Sequence, residues 1–297
     1  MDKSEFDSYV KAGEIAKKVK EFAREIIKPG VKLIDIAEGI DAKILELGGE
    51  IAFPVNLGLN EVAAHFTPGN DCEEVANGIL KIDLGICVNG FIADTAFSVD
   101  LSEDGRFKNM IELNRKVLDA ASKVVRVGMR VGDVGEAVQD VMDDAGDDFV
   151  VIGGLCGHGL GENLIHTAPS IPNYRNDNDR VLDNMGFAIE PFLTSGDGEI
   201  FEGKGGGIYS LKDGGAVRDR DARKILEFVR ERYGTRPFCA RWLEREEFVK
   251  LRFALKTLVK LGIFYEYPML IEKSRKPVSQ IENTFVIFGN EVLCTTG

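Results

Sequence analysis

The stretch KIDLGICVNGFIADTA, residues 81–96, holds two apolar runs, each with an aspartate inside it, and Asn89-Gly90 between them. Asn-Gly flanked by alternating apolar residues is the strongest short-range hairpin signal, because a type I′ turn needs positive φ at both central residues. With that two-residue loop Val88 pairs with Phe91, Asp83 faces Ala96, and Gly85 faces Asp94. Side chains alternate along a strand, so Asp83 and Asp94 emerge on one face as diagonal neighbours, roughly 7–8 Å apart at the backbone. The other face carries Ile82, Leu84, Ile86, Val88, Phe91, Ala93 and Phe97 and reads as core. Two unpaired carboxylates side by side repel, and one is forced to keep its proton. A shared cation removes that cost. An exposed polar edge explains the pair less well, because Ile92 and Ala96 share the acidic face.

The segments before and after the hairpin repeat. Apolar periodicity predicts a helix over residues 4–28 and a second from about Leu33 to Leu47. The same order returns with a helix from about Phe107 to Val127 and another from about Val131 to Ala145. GVKLIDIAEGI at Gly30 aligns with GMRVGDVGEAV at Gly128, an offset of 98. EVAAHFTP at Glu61 aligns with ENLIHTAP at Glu162, which matches His65 to His166. Asp83 and Glu190 also correspond, each ending an apolar strand, LKID and FAIE. A period this long is not a solenoid. It predicts an α+β fold of two similar halves about a pseudo-twofold axis, with a site between them. Residues 212–267 break the repeat and read as a helical insertion, with helices near Asp219–Tyr233 and Glu244–Leu261 joined by GTRPFCARW. Strand-like sequence, SQIENTFVIFG and EVLCTT, closes the chain.

The bulk numbers exclude several classes of protein. The 297 residues are 44% hydrophobic and 29% charged, a globular composition in which one domain spans 1–297. A net charge of -12 lacks the basic footprint that a phosphate backbone requires, so no nucleic-acid partner is expected. Five scattered cysteines without a CxxC fit neither a disulfide framework nor a zinc ribbon. The amphipathic start has no apolar leader core, and no apolar run reaches membrane-spanning length. These features read as a cytoplasmic protein without a membrane partner.

The chain has three histidines, His65, His158 and His166, each in a loop or strand-end motif rather than on a helical apolar face. GGLCGHGLG surrounds His158, and its glycines let the backbone approach a site closely. Glu190 follows GFAI, and Glu282 interrupts SQIENTFVIF. Asp83, Asp94, Glu190, Glu282 and His158 form a coherent set of four carboxylates and one imidazole, enough charge to balance two divalent cations. Oxygen-rich ligation with a single histidine suits Mn, Fe or Co better than structural zinc. Two such ions can hold a bridging hydroxide as nucleophile and polarise a carbonyl.

In order and spacing KIDLG, GFIADTA, GHGLG, FAIEPF and IENT resemble the metal-ligand motifs of the methionine aminopeptidase and prolidase pita-bread hydrolases. IAFPVNLGLNEVAAHFTP and HTAPSIPN narrow the resemblance to the methionine aminopeptidases. The helical insertion with YGTRPFCARW is similar to that of the type 2 members, and the short N-terminus to that of the archaeal ones. The resemblance implies a pita-bread fold around a central antiparallel sheet and a monomeric enzyme. Two divalent ions (Co, Mn, Fe or Zn) would lie on Asp83, Asp94, His158, Glu190 and Glu282. It further implies that Asp94 and Glu282 bridge the ions and that Glu190 shuttles a proton. His65 would lie near the substrate's amino end, and His166 would donate to the scissile carbonyl. Phe53, Ile165 and Phe192 would wall a methionine pocket. The substrate would be the N-terminal methionine of nascent polypeptides whose second residue is small, which leaves a ribosome contact open. The family's usual E-H-T around the last ligand here reads Glu282-Asn283-Thr284. An X-Pro aminopeptidase or prolidase of the same fold, and a non-catalytic pita-bread binding protein, are the rival readings.

Overall fold

The hairpin forms as its residues require. Asn89 and Gly90 take φ of 51° and 89°, Val88 pairs with Phe91, and the register runs through Gly85–Asp94 and Asp83–Ala96. These contacts come from a computed structural model that describes every residue except 213, 214, 216 and 247. The hairpin strands are Ile79–Val88 and Phe91–Asp100, and Glu50–Leu59 pairs with the first of them in an antiparallel three-stranded sheet.

Helices α1 (Lys3–Ile26) and α2 (Leu33–Glu46) cover the apolar face of that sheet. A capping box starts α1: Asp2 accepts from the Glu5 N–H, and Glu5 accepts from the Asp2 N–H. Ile15 and Val19 of α1 and Ile36, Ile40 and Ile44 of α2 pack on Ile82, Leu84, Ile86 and Ala93. The second half repeats the construction with α3 (Lys108–Lys123) and α4 (Val131–Ala145). Val117, Leu118, Val134 and Val138 pack there on Phe187, Ile189, Phe285 and Ile287. The sheet beneath orders Glu291–Cys294, Asn283–Phe288, Gly186–Ile189, Cys156–Gly161 and Leu164–Pro172.

Backbone pairing at the start of α2 and of α4 carries the same repeat. Lys32 bridges Val75, and Arg130 bridges Val181. The Leu33 N–H donates to the Glu74 carbonyl and the Val131 N–H to the Arg180 carbonyl, both at 2.9 Å. The sequence offset between the halves therefore marks one backbone construction used twice.

The two sheets meet edge to edge. Ala96 and Glu282 bridge them, the Glu282 N–H donating to the Ala96 carbonyl at 3.0 Å. Hydroxyls close this seam: Thr284 Oγ1 accepts from the Asp94 N–H at 2.8 Å and donates to the Asp94 carbonyl at 2.7 Å. Thr95 Oγ1 donates to the Glu282 carbonyl at 2.8 Å. Each bond satisfies a buried backbone group that the irregular edge would otherwise leave unpaired. The seam thus brings together two acids 188 positions apart in the chain, Asp94 and Glu282.

Two sequence limits move. The helix expected over Glu244–Leu261 shortens to α7 (Leu251–Lys260), and a separate short helix, α6 (Ala240–Glu244), begins inside the segment GTRPFCARW expected to join it to α5 (Arg220–Arg232); residue 247 lies outside the described residues. Lys250 takes φ of 54° immediately before α7, a left-handed residue that breaks the helical path. The strand Phe264–Glu272 begins inside the expected insertion 212–267. It pairs with a Gly-rich strand, Ile200–Leu211, and with Val62–Ala64 on its other side. α5, α6 and α7 bury Ile225, Leu226, Val229, Trp242, Leu243, Leu255 and Leu258 in a cluster of their own.

Candidate metal centre

The acidic face of the hairpin opens into a cavity of about 520 Å³. The hairpin supplies Asp83 and Asp94, the second sheet supplies His158 and His166, and Glu190 follows the strand Gly186–Ile189. Glu282 sits on the seam. These six, with His65, Phe53, Ile165 and Phe192, all line the one cavity. The structure therefore gathers every residue singled out in the sequence. Phe53 and Ile165 share an apolar cluster with Cys87, Ile92 and Leu160, whereas Phe192 packs with Ala63, Ala64 and Ile152 on another wall.

Ligand atoms of Asp94, His158 and Glu282 lie within 4.8 Å of one another. His158 Nε2 is 3.7 Å from Asp94 Oδ2 and 3.5 Å from Glu190 Oε1, too far for direct hydrogen bonds to hold the group together. His158 Nδ1 contacts the Gly159 carbonyl at 3.2 Å. A proton there fixes the tautomer that leaves Nε2 as a lone-pair donor to the centre. Gln280 Nε2 donates to Asp83 Oδ2 at 3.3 Å. Asp83 Oδ1, Asp94 Oδ1 and both carboxylate oxygens of Glu282 are buried without any protein donor. Buried carboxylates do not stay ionised without donors or cations. Divalent metal satisfies this donor set, whose carboxylates and one neutral imidazole are those of an oxygen-rich metal site.

The electrostatics agree. Burial pushes the Asp83 carboxyl up to about 7. Burial, then the Asp83 and Glu190 charges, hold Asp94 well above the usual carboxylate range. Glu190 is raised by burial and by Asp83, and Glu282 by burial and by Asp94, Glu190 and Asp83. Burial and then His166 lower His158 to about 3 and His65 to about 4, so both imidazoles are neutral at pH 7. His166 is also lowered by burial. Its ring stands 4.4 Å from that of His158, enclosed by protein yet open to cavity water.

A sign follows for stability. Each carboxyl has a folded pKa above its unfolded value. Its contribution to the metal-free fold is therefore complete below about pH 4 and is lost as pH rises through the folded value, near 7 for Asp83. Metal-free protein is expected to melt on the order of 5 °C lower at pH 8 than at pH 5.5. Saturating metal should cancel that slope. Parallel melting profiles with and without metal, recorded by calorimetry, would contradict the assignment.

Sequence reasoning did not find Asn56, Tyr267, Ile208 or Pro237, which also line the cavity, or Gln280, which holds Asp83. The Tyr267 ring stands 5.3 Å from the His65 ring. Tyr267 precedes Pro268 at the end of the segment read as helical, where only the alternation of FYEYPMLIE signalled a strand.

The chain belongs to metallopeptidase family M24, whose model matches residues 7–227. It is 40% identical to the methionine aminopeptidase of Pyrococcus abyssi, over 98% of this chain and 99% of that protein. Among solved structures, a thermophilic Arx1 superposes with a TM-score of 0.85 at 17% identity, covering 100% of this chain and 91% of that one. The methionine aminopeptidase of Thermotoga maritima superposes with a TM-score of 0.71 at 23% identity, covering 100% and 98%. These two likenesses concern the fold, the α+β pita-bread architecture. No helix among the described residues is long and apolar enough to cross a membrane.

Proposed function

We propose that this chain is a methionyl aminopeptidase that removes the initiator methionine from nascent polypeptides when the second residue is small. The observation that carries the reading is the meeting, in one cavity, of orphaned buried carboxylate oxygens, a neutral imidazole and two further histidines from the two halves of the repeat. The full-length identity to a methionine aminopeptidase supports the substrate.

In this reading Asp83, Asp94, His158, Glu190 and Glu282 would hold two divalent ions drawn from Co, Mn, Fe and Zn. Bound there, the ions supply Lewis acidity and lower the pKa of water. The protein's own groups do the rest. Glu190, beside the centre, takes a proton from the attacking water and passes it to the leaving amine. His166 donates an N–H to the scissile carbonyl oxygen as negative charge develops on it. His65, held neutral by burial, contacts the substrate's amino end. Phe53 and Ile165, with Phe192 opposite, receive the methionine side chain. Residues 1–297 act as one catalytic unit, with the helical segment 212–267 inserted into it. The protein works as a monomer in the cytoplasm, without nucleic acid or membrane, and a ribosome is the partner that would present its substrate.

Purified protein with added Co(II), Mn(II) or Fe(II) is expected to release methionine from Met-Ala-Ser and to leave a Gly-Pro dipeptide intact. Cleavage of Gly-Pro alone would replace this reading with the X-Pro one. Failure on both peptides with every metal would leave the non-catalytic binding protein.

A further inference from the structure

We propose that Arg241 is a positioning residue for His65, so that the helical segment sets the amino-terminal end of the substrate site; this rests on the assignment of His65 to that end. Arg241 is 1% exposed. Its Nη1 donates to the Pro68 carbonyl at 2.7 Å and to Thr67 Oγ1 at 3.2 Å. Its Nη2 donates to Asp41 Oδ2 at 2.7 Å, and Trp242 Nε1 donates to the same oxygen at 2.7 Å. One planar fork therefore ties α6, α2 and the loop that follows His65.

A buried ion pair is a poor stabiliser, since apolar residues of equal volume usually do as well or better. This pair is not even fully satisfied: Asp41 Oδ1 and Arg241 Nε have no partner. What a guanidinium does supply is direction, through donors fixed in a plane. The loop it grips needs that. His65 has φ of 64°, a left-handed conformation that a non-glycine residue keeps only where its surroundings over-determine it. Asn56 Oδ1 accepts the His65 N–H at 2.8 Å on the entry side. The Gly206 carbonyl accepts the Thr67 N–H at 3.0 Å from below. Gly206 must be glycine, because a Cβ there would stand 1.6 Å from the His65 carbonyl oxygen. Arg241 closes the exit side. Without it the Pro68 carbonyl and Thr67 hydroxyl lose their donor, and His65 is free to leave the left-handed region. The residues assigned to the metal lie on other elements, the hairpin, the second sheet and the seam, and among the described residues none makes a hydrogen bond or ion pair with Arg241.

The test uses the double variant Asp41→Leu/Arg241→Met, which removes both buried charges together, and Arg241→Lys, which keeps the charge but loses the fork. With three histidines in the chain, imidazole ¹⁵N spectra of the Zn(II)-loaded protein give three ring systems, and His65→Asn assigns the one in question. The expected result is a displaced or broadened His65 signal with those of His158 and His166 unmoved. Metal content should be unchanged, and KM for Met-Ala-Ser should rise about 10-fold with a smaller change in kcat. An unmoved His65 signal in either folded variant, or displacement of all three together, overturns the proposal. Because the spectrum is read without turnover, a wild-type protein that fails to cleave Met-Ala-Ser would sink the functional reading while this arm still decides the role of Arg241.

Discussion

Glu282→Gln is expected to abolish methionine release and, in the same protein, to raise the stability of the metal-free form. The two effects have one cause. Glu282 is 1% exposed, and neither carboxylate oxygen has a protein donor. Burial and three neighbouring carboxylates hold its pKa well above the usual range. The fold therefore carries an electrostatic penalty near neutral pH that either a retained proton or a bound cation relieves. An amide of the same shape removes the penalty together with a ligand. The activity lost should exceed the about 10²–10³-fold typical of a single missing oxyanion donor. Bound metal, read by elemental analysis after dialysis, should drop below that of the wild type. Metal-free Glu282→Gln should melt on the order of 5 °C above metal-free wild type at pH 7.5. The order should reverse when metal is added, because only the wild type gains the binding energy. A variant that is less stable than wild type when both are stripped would mean that Glu282 is a structural acid. The seam would survive the change, since it is built from the Glu282 backbone and from Thr95 and Thr284 hydroxyls rather than from the Glu282 side chain.

What the sequence disclosed, and what it hid, divides by the range of the interaction. Asn89-Gly90 fixes its turn locally, so the pairing of Asp83 with Ala96 and of Gly85 with Asp94 was readable residue by residue. The internal repeat placed His65 and His166 in equivalent positions, and both line the cavity. By contrast, the strand Ile200–Leu211 carries four glycines in EGKGGG, a composition that argues against a strand, and it forms because Phe264–Glu272 pairs along it. Apolar spacing through Phe248, Leu251 and Leu255 continues past the left-handed Lys250, which is why a helix reads from about Glu244 although α7 begins only at Leu251. Gln280, Tyr267 and Arg241 have no local signature. Each owes its place to a partner far along the chain: Gln280 to Asp83, Tyr267 to His65, Arg241 to Asp41 and Thr67. Asn283, which follows Glu282, accepts from Thr296 Oγ1 at 3.0 Å and so faces the closing segment of the chain.

His166→Ala is expected to keep its metal and lose about 10²–10³-fold in kcat, the range for one lost oxyanion donor. His166 lies on the strand Leu164–Pro172, its ring set 85° to that of His158 and exposed to the cavity. It makes no ion pair with the acids of the centre among the described residues, so its removal does not strip a ligand. Its pKa is lowered by burial, so at pH 7 the ring is neutral and donates through one nitrogen only. Such a donor interacts weakly with a ground-state carbonyl and strongly with the oxygen once it bears charge. The loss should therefore appear in kcat, with KM for Met-Ala-Ser nearly unchanged. His166→Gln, which keeps an N–H at similar reach, should recover part of the activity. A metal-free His166→Ala protein, or one with a raised KM and normal kcat, would move His166 from the reacting oxygen to the ligand shell or to simple substrate binding.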